Sequence, residues 1–345
     1  MMNRNFLKTG IIITLGAFLF VSCTKDDDNN DAQVAESTQL FASNNNDGNI
    51  TVYDMVSGDV KTLATASTMA EGVYYDAGAD EIIQASRSSN QLNTYAGIST
   101  LLSGNALNIS ISASISSESA LESPRDIAVN GNMVVVSDNA DVDGNAETPD
   151  GRLFIFTKNA GSLTLRNVVT TDFAVWGIEF VGNDLYAVVD KTNQLAVFAN
   201  FTASNTANTA VIASKKIAIE GIIRTHGLAY DKGTMILTDI GNAMDDADGA
   251  FHIITDFDSK FSSVSNGGIM AVASNQIRVA GSSTLLGNPV SAEYDAATKT
   301  IFIAEAANGG GRVLAFSNAD AGGNLMPNVN NSLSKASSLY FYSTK

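Results

Sequence analysis

Cysteine is nearly missing from this chain of 345 residues: Cys23 is the only one. No intrachain disulfide can form, and no cysteine-based metal centre can be built. There are four prolines, one tryptophan and two histidines, His226 and His252. Two histidines are too few for a His-rich metal site. Basic residues are scarce, with 20 Lys and Arg against 36 Asp and Glu. A surface of that sign argues against nucleic acid and against polybasic attachment to membranes. No apolar run reaches the ~20 residues that a spanning helix needs. There is no GxSxG element with a downstream His, and no phosphate-binding Gly loop followed by Lys.

What apolar run there is lies at the start. Arg4 and Lys8 precede Ile11 to Val21, which only Thr14 and Gly16 interrupt, and Ser22 precedes Cys23. A basic start, a short apolar stretch and a small residue read as a secretory signal over residues 1–22. A buried helix or an N-terminal membrane anchor is the competing reading. Leu19-Phe20-Val21-Ser22-Cys23 resembles a bacterial lipobox, with Phe20 where an aliphatic residue is usual. The resemblance implies that Cys23 becomes the first mature residue and carries lipid, with enough acyl chains to anchor stably to a membrane. Thr24-Lys25-Asp26-Asp27-Asp28 resembles the export signal that sends lipoproteins of Bacteroidetes-type bacteria to the cell surface. An ordinary acidic linker is the alternative. Residues 23–37 are then a polar tether, and the chain is expected at the outer membrane, exposed to the outside. Loss of residues 1–22 leaves 18 basic against 36 acidic residues, a net charge near −18.

From residue 38 onward, short segments rich in Val, Ile, Phe, Tyr and Leu alternate with Gly, Asn, Asp and Ser, which is an all-β pattern. The segments repeat. Glu71-Gly72-Val73-Tyr74-Tyr75-Asp76 is followed by a turn and Glu81 to Ser86. Equivalent pairs start at Arg125, Trp176, His226 and Val290, and a third strand follows each pair. Ser338 to Tyr342 looks like a first strand without partners, and Gln39 to Ser43 with Asn49 to Asp54 like second and third strands without a first. Joined, the two ends make a sixth copy. A period of about 50 residues with four strands predicts a six-bladed β-propeller over residues 38–345, closed by its N- and C-terminal strands. A large sandwich or a β-helix competes, but a sandwich would need neither a regular period nor complementary ends. The repeat resembles the NHL/YVTN group of propellers, including the gluconolactonase-like six-bladed kind.

Propeller topology aims the residue before each Gly-apolar start at the central funnel. That column reads Glu71, Arg125, Trp176, His226, Val290 and Ser337. The first four form a candidate ligand site: Glu71 and Arg125 to orient a polar group, Trp176 to stack on a sugar or other flat ligand, His226 to act as acid, base or metal ligand. The competing reading is a channel mouth whose residues satisfy one another. Gluconolactonase-like enzymes hold a divalent metal with a Glu, Asn and Asp set around this column. Here Glu71 alone matches, and no catalytic residue is assigned. Lyases that cleave peptidyl-hydroxyglycine use several His ligands, which this chain lacks.

A second constellation is acidic. In residues 139–150, Asn139, Asp141, Asp143, Glu147 and Asp150 stand at positions 1, 3, 5, 9 and 12, with Gly144 at 6. That spacing matches a calcium loop, and calcium is the one cofactor the sequence suggests. The flanks read as strands, so this is no EF-hand, and a solvated acidic turn is the alternative. Asp245, Asp246 and Asp248 form a sparser version. Asp138, Asp190, Asp239 and Glu305, which end second strands, are expected to brace loops. The expectation is a surface binding module for a glycan, a peptide or an envelope protein, with a metal-dependent hydrolase or lactonase as the alternative.

Overall fold

The computed structural model describes residues 37–344. The signal, Cys23 and nearly all of the tether therefore lie outside the described residues. From residue 38 the chain forms six small sheets arranged as the blades of a propeller, as the repeat predicts. The first blade runs outward through Ala70–Asp76, Glu81–Ser86, Gln91–Ala96 and Ile115–Ser116. The next four begin with Pro124–Asn130, Val175–Val181, Leu228–Asp231 and Pro289–Asp295. The sixth joins both ends of the chain. Ala336–Ser343 is its innermost strand, and Thr38–Asn44 pairs with it on one side and with Ile50–Asp54 on the other. Leu40 lies opposite Phe341, so the ring closes through backbone hydrogen bonds and leaves no open seam.

The second strand of each blade is flanked by neighbouring blades on both faces. Met133–Asp138 (MVVVSD) is buried at every position, which is why it reads as a continuous apolar run rather than an alternation. The core lies between blades: Val188, Leu195 and Ile217 of the third meet Leu228, Met235 and Leu237 of the fourth.

The Gly-apolar start has a steric cause. A Cβ on Gly177 would sit 2.4 Å from the His226 carbonyl oxygen, and one on Gly227 would sit 2.7 Å from Ser291 Cα. At Gly72 it would meet the backbone nitrogen of Ile127 at 2.7 Å. Innermost strands approach one another here too closely for a side chain, so the repeat motif records a collar of backbone around the axis.

Two features go beyond the repeat. Short helices follow three of the third strands: Ile98–Ser103, Phe201–Ser204 and Phe257–Ser263. Each starts after a residue in the left-handed region, Gly97, Asn200 or Asp256, and buries Ile98, Phe201, or Phe257 with Phe261. The chain then adds a short parallel strand to the outer edge of the preceding blade. Asn108–Ser110 pairs with Val60–Ala64, Thr209–Val211 with Ser162–Thr171, and Ile269–Met270 with Lys215–Ile219. These latches tie adjacent blades, and the last of them, with the helix Phe257–Ser263 before it, lies in the long interval between His226 and Val290.

Candidate functional site

The four rim residues expected from the repeat do meet. Arg125 Nη1 lies 3.3 Å from Glu71 Oε1. The Arg125 guanidinium carbon sits 4.1 Å from the centroid of the Trp176 ring. The opposite face of that indole stacks on His226, with centroids 3.6 Å apart and planes 6° from parallel. His226 Nε2 is 3.2 Å from Asp190 Oδ1. Asn139 Nδ2 donates to Asp190 Oδ2, and Asn139 Oδ1 accepts from Arg125 Nε. Arg125, Trp176, His226, Asp190 and Asn139 thus form a closed circuit across the second, third and fourth blades. Of the other two column residues, Ser337 Oγ donates to the Ala70 carbonyl and Val290 packs beside the fifth and sixth blades.

This geometry corrects two expectations. The Trp176 indole has both faces covered, by a guanidinium and an imidazole, so it offers a ligand its edge and not a stacking platform. Asp190 also departs from its column. Asp138 accepts the amides of Glu122, Ser123 and Ala140, and Asp239 those of Ile223, Arg224 and Gly241. Glu305 accepts four, from Gly287, Asn288, Ala307 and Asn308. Those three brace loops as expected. Asp190 instead takes the side chains of His226, Arg224 and Asn139.

Three further residues complete the site, and the repeat does not reveal them. Arg87 shares Glu71 Oε1 with Arg125, at 3.3 Å. Asn45, from the closing blade, donates to the same oxygen at 2.7 Å. Arg224 lies 3.0 Å from Asp190 Oδ1.

Burial sets the protonation states. It pushes the Glu71 carboxyl above its ordinary value, with Arg125, Asn45 and Arg87 pulling against it. Burial also opposes ionisation of Asp190, but the hydrogen bonds and charges of His226 and Arg224 outweigh it and hold that carboxyl below the usual range. His226 is pushed down to about 4, chiefly by burial and despite Asp190. Its Nε2 also lies 3.1 Å from Arg224 Nε, and one nitrogen serves only one of these neighbours. With Nε2–H donating to Asp190, the buried and unpartnered Nδ1 keeps only a lone pair; the other tautomer would strand an N–H there. His226 should therefore stay neutral in NMR titrations until about pH 4. Its unfolded-state value is about 6.5. The stability it contributes is present above that value and is lost as pH falls through about 4. A His226→Gln variant should flatten this part of the acid limb. Titration of the native imidazole near 6.5 would contradict the assignment. His252, buried in a third strand with Nδ1 against Gln276 Oε1 at 2.7 Å, is structural.

Of the loop at residues 139–150, Asp141, Asp143 and Asp150 bring carboxylate oxygens within 4.8 Å of one another. Asn139 is turned into the funnel circuit, and Glu147 lies outside the group. The three carboxylates also accept amides of their own loop, from Gly144, Asn145 and Val142. No other such trio of Asp, Glu or His groups occurs among the described residues.

A cavity of about 250 Å³ is lined by all six innermost strands. Asp126, Glu179 and Glu293 face it, with Tyr74 and Tyr340. Burial raises all three acids, Asp126 to about 7 and Glu179 to about 8, and mutual repulsion adds to the shift of Glu179 and Glu293. Asp126 was legible as the one acid in the small-residue column that otherwise reads Gly72, Gly177, Gly227, Ser291 and Ser338.

No protein-family model and no curated protein matches the chain. Solved structures do. One, from the crystal structure of a nidogen/laminin complex, is similar at a TM-score of 0.56 and 11% identity, covering 88% of this chain and 98% of its own. A putative 6-phosphogluconolactonase from Bacteroides fragilis gives 0.55 and 10%, covering 91% and 100%. At such identities the likeness extends to the fold alone.

Proposed function

We propose that this protein is a lipid-anchored propeller of the outer membrane, exposed at the cell surface, that binds a glycan, peptide or envelope protein in its funnel without transforming it. The anchor rests on Cys23 and the Lys25-Asp26-Asp27-Asp28 run behind it. The observation that carries the binding role is the closed circuit of Arg125, Trp176, His226, Asp190 and Asn139. Its one acid, Asp190, holds Arg224, and the adjoining Glu71 holds Arg87 and Arg125; such mutual bracing makes a rigid recognition surface rather than a free base or nucleophile.

The alternative, a metal-dependent lactonase or other hydrolase, would use Glu71 and His226 as ligands. Its support is the lactonase-named structural neighbour. Against it, Glu71 Oε1 already receives Asn45, Arg87 and Arg125, so a divalent cation on this carboxylate would sit beside two guanidinium groups. Titration with a glycan and peptide panel, with turnover followed in the same samples, separates the two readings. The proposal expects saturable binding and unchanged ligand. Metal-dependent product formation that disappears in Glu71→Gln would assign the funnel to a hydrolase.

Calcium belongs to the same proposal as a loop-stiffening ion held by Asp141, Asp143 and Asp150. A rise in melting temperature with millimolar calcium, absent from Asp143→Asn, is the expected sign; identical melts with and without calcium would remove it.

A further inference from the structure

We infer that the funnel rim receives an oxyanion, a carboxylate or phosphate group carried by the ligand. The inference rests on the binding reading above and names the chemistry that site would recognise. Three guanidinium groups gather at this end of the funnel: Arg87, Arg125 and Arg224, with 27%, 15% and 23% of their side chains exposed. The two acids that hold them, Glu71 and Asp190, are 3% and 2% exposed and lie beneath. His226 adds no positive charge at neutral pH, since burial holds it down to about 4. Glu71, Asp190 and the buried Asp138 beside Arg125 offset the charge of these arginines, and Asp138 is itself committed to three backbone amides, so what the site offers an anion is its guanidinium N–H groups.

The arginines are fixed on one side and free on the other. Arg125 gives Nε to Asn139 and Nη1 to Glu71, and its Nη2 donates to nothing among the described residues. Arg224 gives Nη2 to Asp190 while its Nε lies 3.1 Å from His226 Nε2, and its Nη1 donates to nothing among the described residues. Arg87 and Arg125 crowd a single carboxylate oxygen, each at 3.3 Å. Like charges held that close repel, and an incoming oxyanion relieves the repulsion while accepting the free N–H groups in the forked geometry that guanidinium favours.

The test uses the chain from residue 23 onward, with glucuronate, inorganic phosphate and neutral glucose as probes. Trp176 is the only tryptophan, so its emission reports the circuit directly, and calorimetry gives the affinity. The expected result is saturable binding of glucuronate or phosphate, none of glucose, and weakening as NaCl is raised. Arg87→Gln and Arg224→Gln should each weaken binding about tenfold or more, with partial rescue in Arg87→Lys. Comparing the two anions tells a carboxylate site from a phosphate site. Arg87 holds Glu71 only as one of three donors, so its variant remains informative if Arg224→Gln fails to fold. No response to either anion up to about 10 mM, or equal binding by wild type and Arg87→Gln, overturns the inference. A neutral glycan or peptide whose binding needs Arg125 would overturn it while leaving the binding function standing.

Discussion

Replacing Glu305 by alanine is expected to destabilise the propeller by about 3–5 kcal/mol. Its side chain is fully buried and receives four backbone amides at 2.8–2.9 Å. Gly287 and Asn288 lie just before the innermost strand of its blade, while Ala307 and Asn308 follow its own strand. One carboxylate therefore ties the entry of the blade to the turn leaving its second strand. Alanine strands four donors in a site from which burial has removed solvent. Burial pushes the Glu305 carboxyl up, and the four amides pull it down. Glu305→Gln keeps one acceptor oxygen and should cost roughly half as much. Denaturant unfolding of both variants checks this; a loss below about 1 kcal/mol in the alanine variant would mean that the four bonds are not needed.

Gly177→Ala is expected to cost about 2–3 kcal/mol, through overpacking rather than lost contacts. The added methyl carbon would sit 2.4 Å from the His226 carbonyl oxygen and 2.8 Å from a Leu228 methyl. The Gly177 amide donates to that same carbonyl at 3.0 Å, so the third and fourth blades must part for the methyl group to fit. Trp176 and His226 flank this contact, and their 3.6 Å stack should loosen with it. Denaturation reads the stability loss, and Trp176 emission reads the stack. An alanine variant with wild-type stability and emission would show that the collar is not close-packed.

The same collar explains why so much of the fold was legible. The Gly-apolar start recurs because backbone meets backbone at Gly72, Gly177 and Gly227, so a steric need is written at a fixed place in each repeat. The closing blade was legible for a related reason: Ser338 to Tyr342 and Gln39 to Ser43 are incomplete copies that complete each other. The helices and latches were not legible. Ile98, Phe201 and Phe257 are isolated anchors in segments of four to seven residues, too short to show a helical period.

The site was half legible. Equivalent positions bring Glu71, Arg125, Trp176 and His226 to one rim, but equivalence says nothing about which faces remain free. Arg87 and Arg224 lie outside the column, one just after a second strand and the other two residues before a rim position, and Asn45 comes from the closing blade, 26 residues before Glu71. Asp190 stands in a column of loop braces, yet its strand delivers it to His226. The calcium spacing of residues 139–150 was read in sequence as five ligands. Three converge: Asn139 is held between Arg125 and Asp190, and Glu147 lies outside the group.

The central claim is that this circuit is the binding surface. Calorimetric titration of wild type, Arg125→Ala and Trp176→Ala with a ligand from the glycan and peptide panel tests it most directly. The account predicts that both variants fold and that both lose at least about tenfold in affinity, since each opens the circuit at a different contact. Unchanged binding by both folded variants would contradict it.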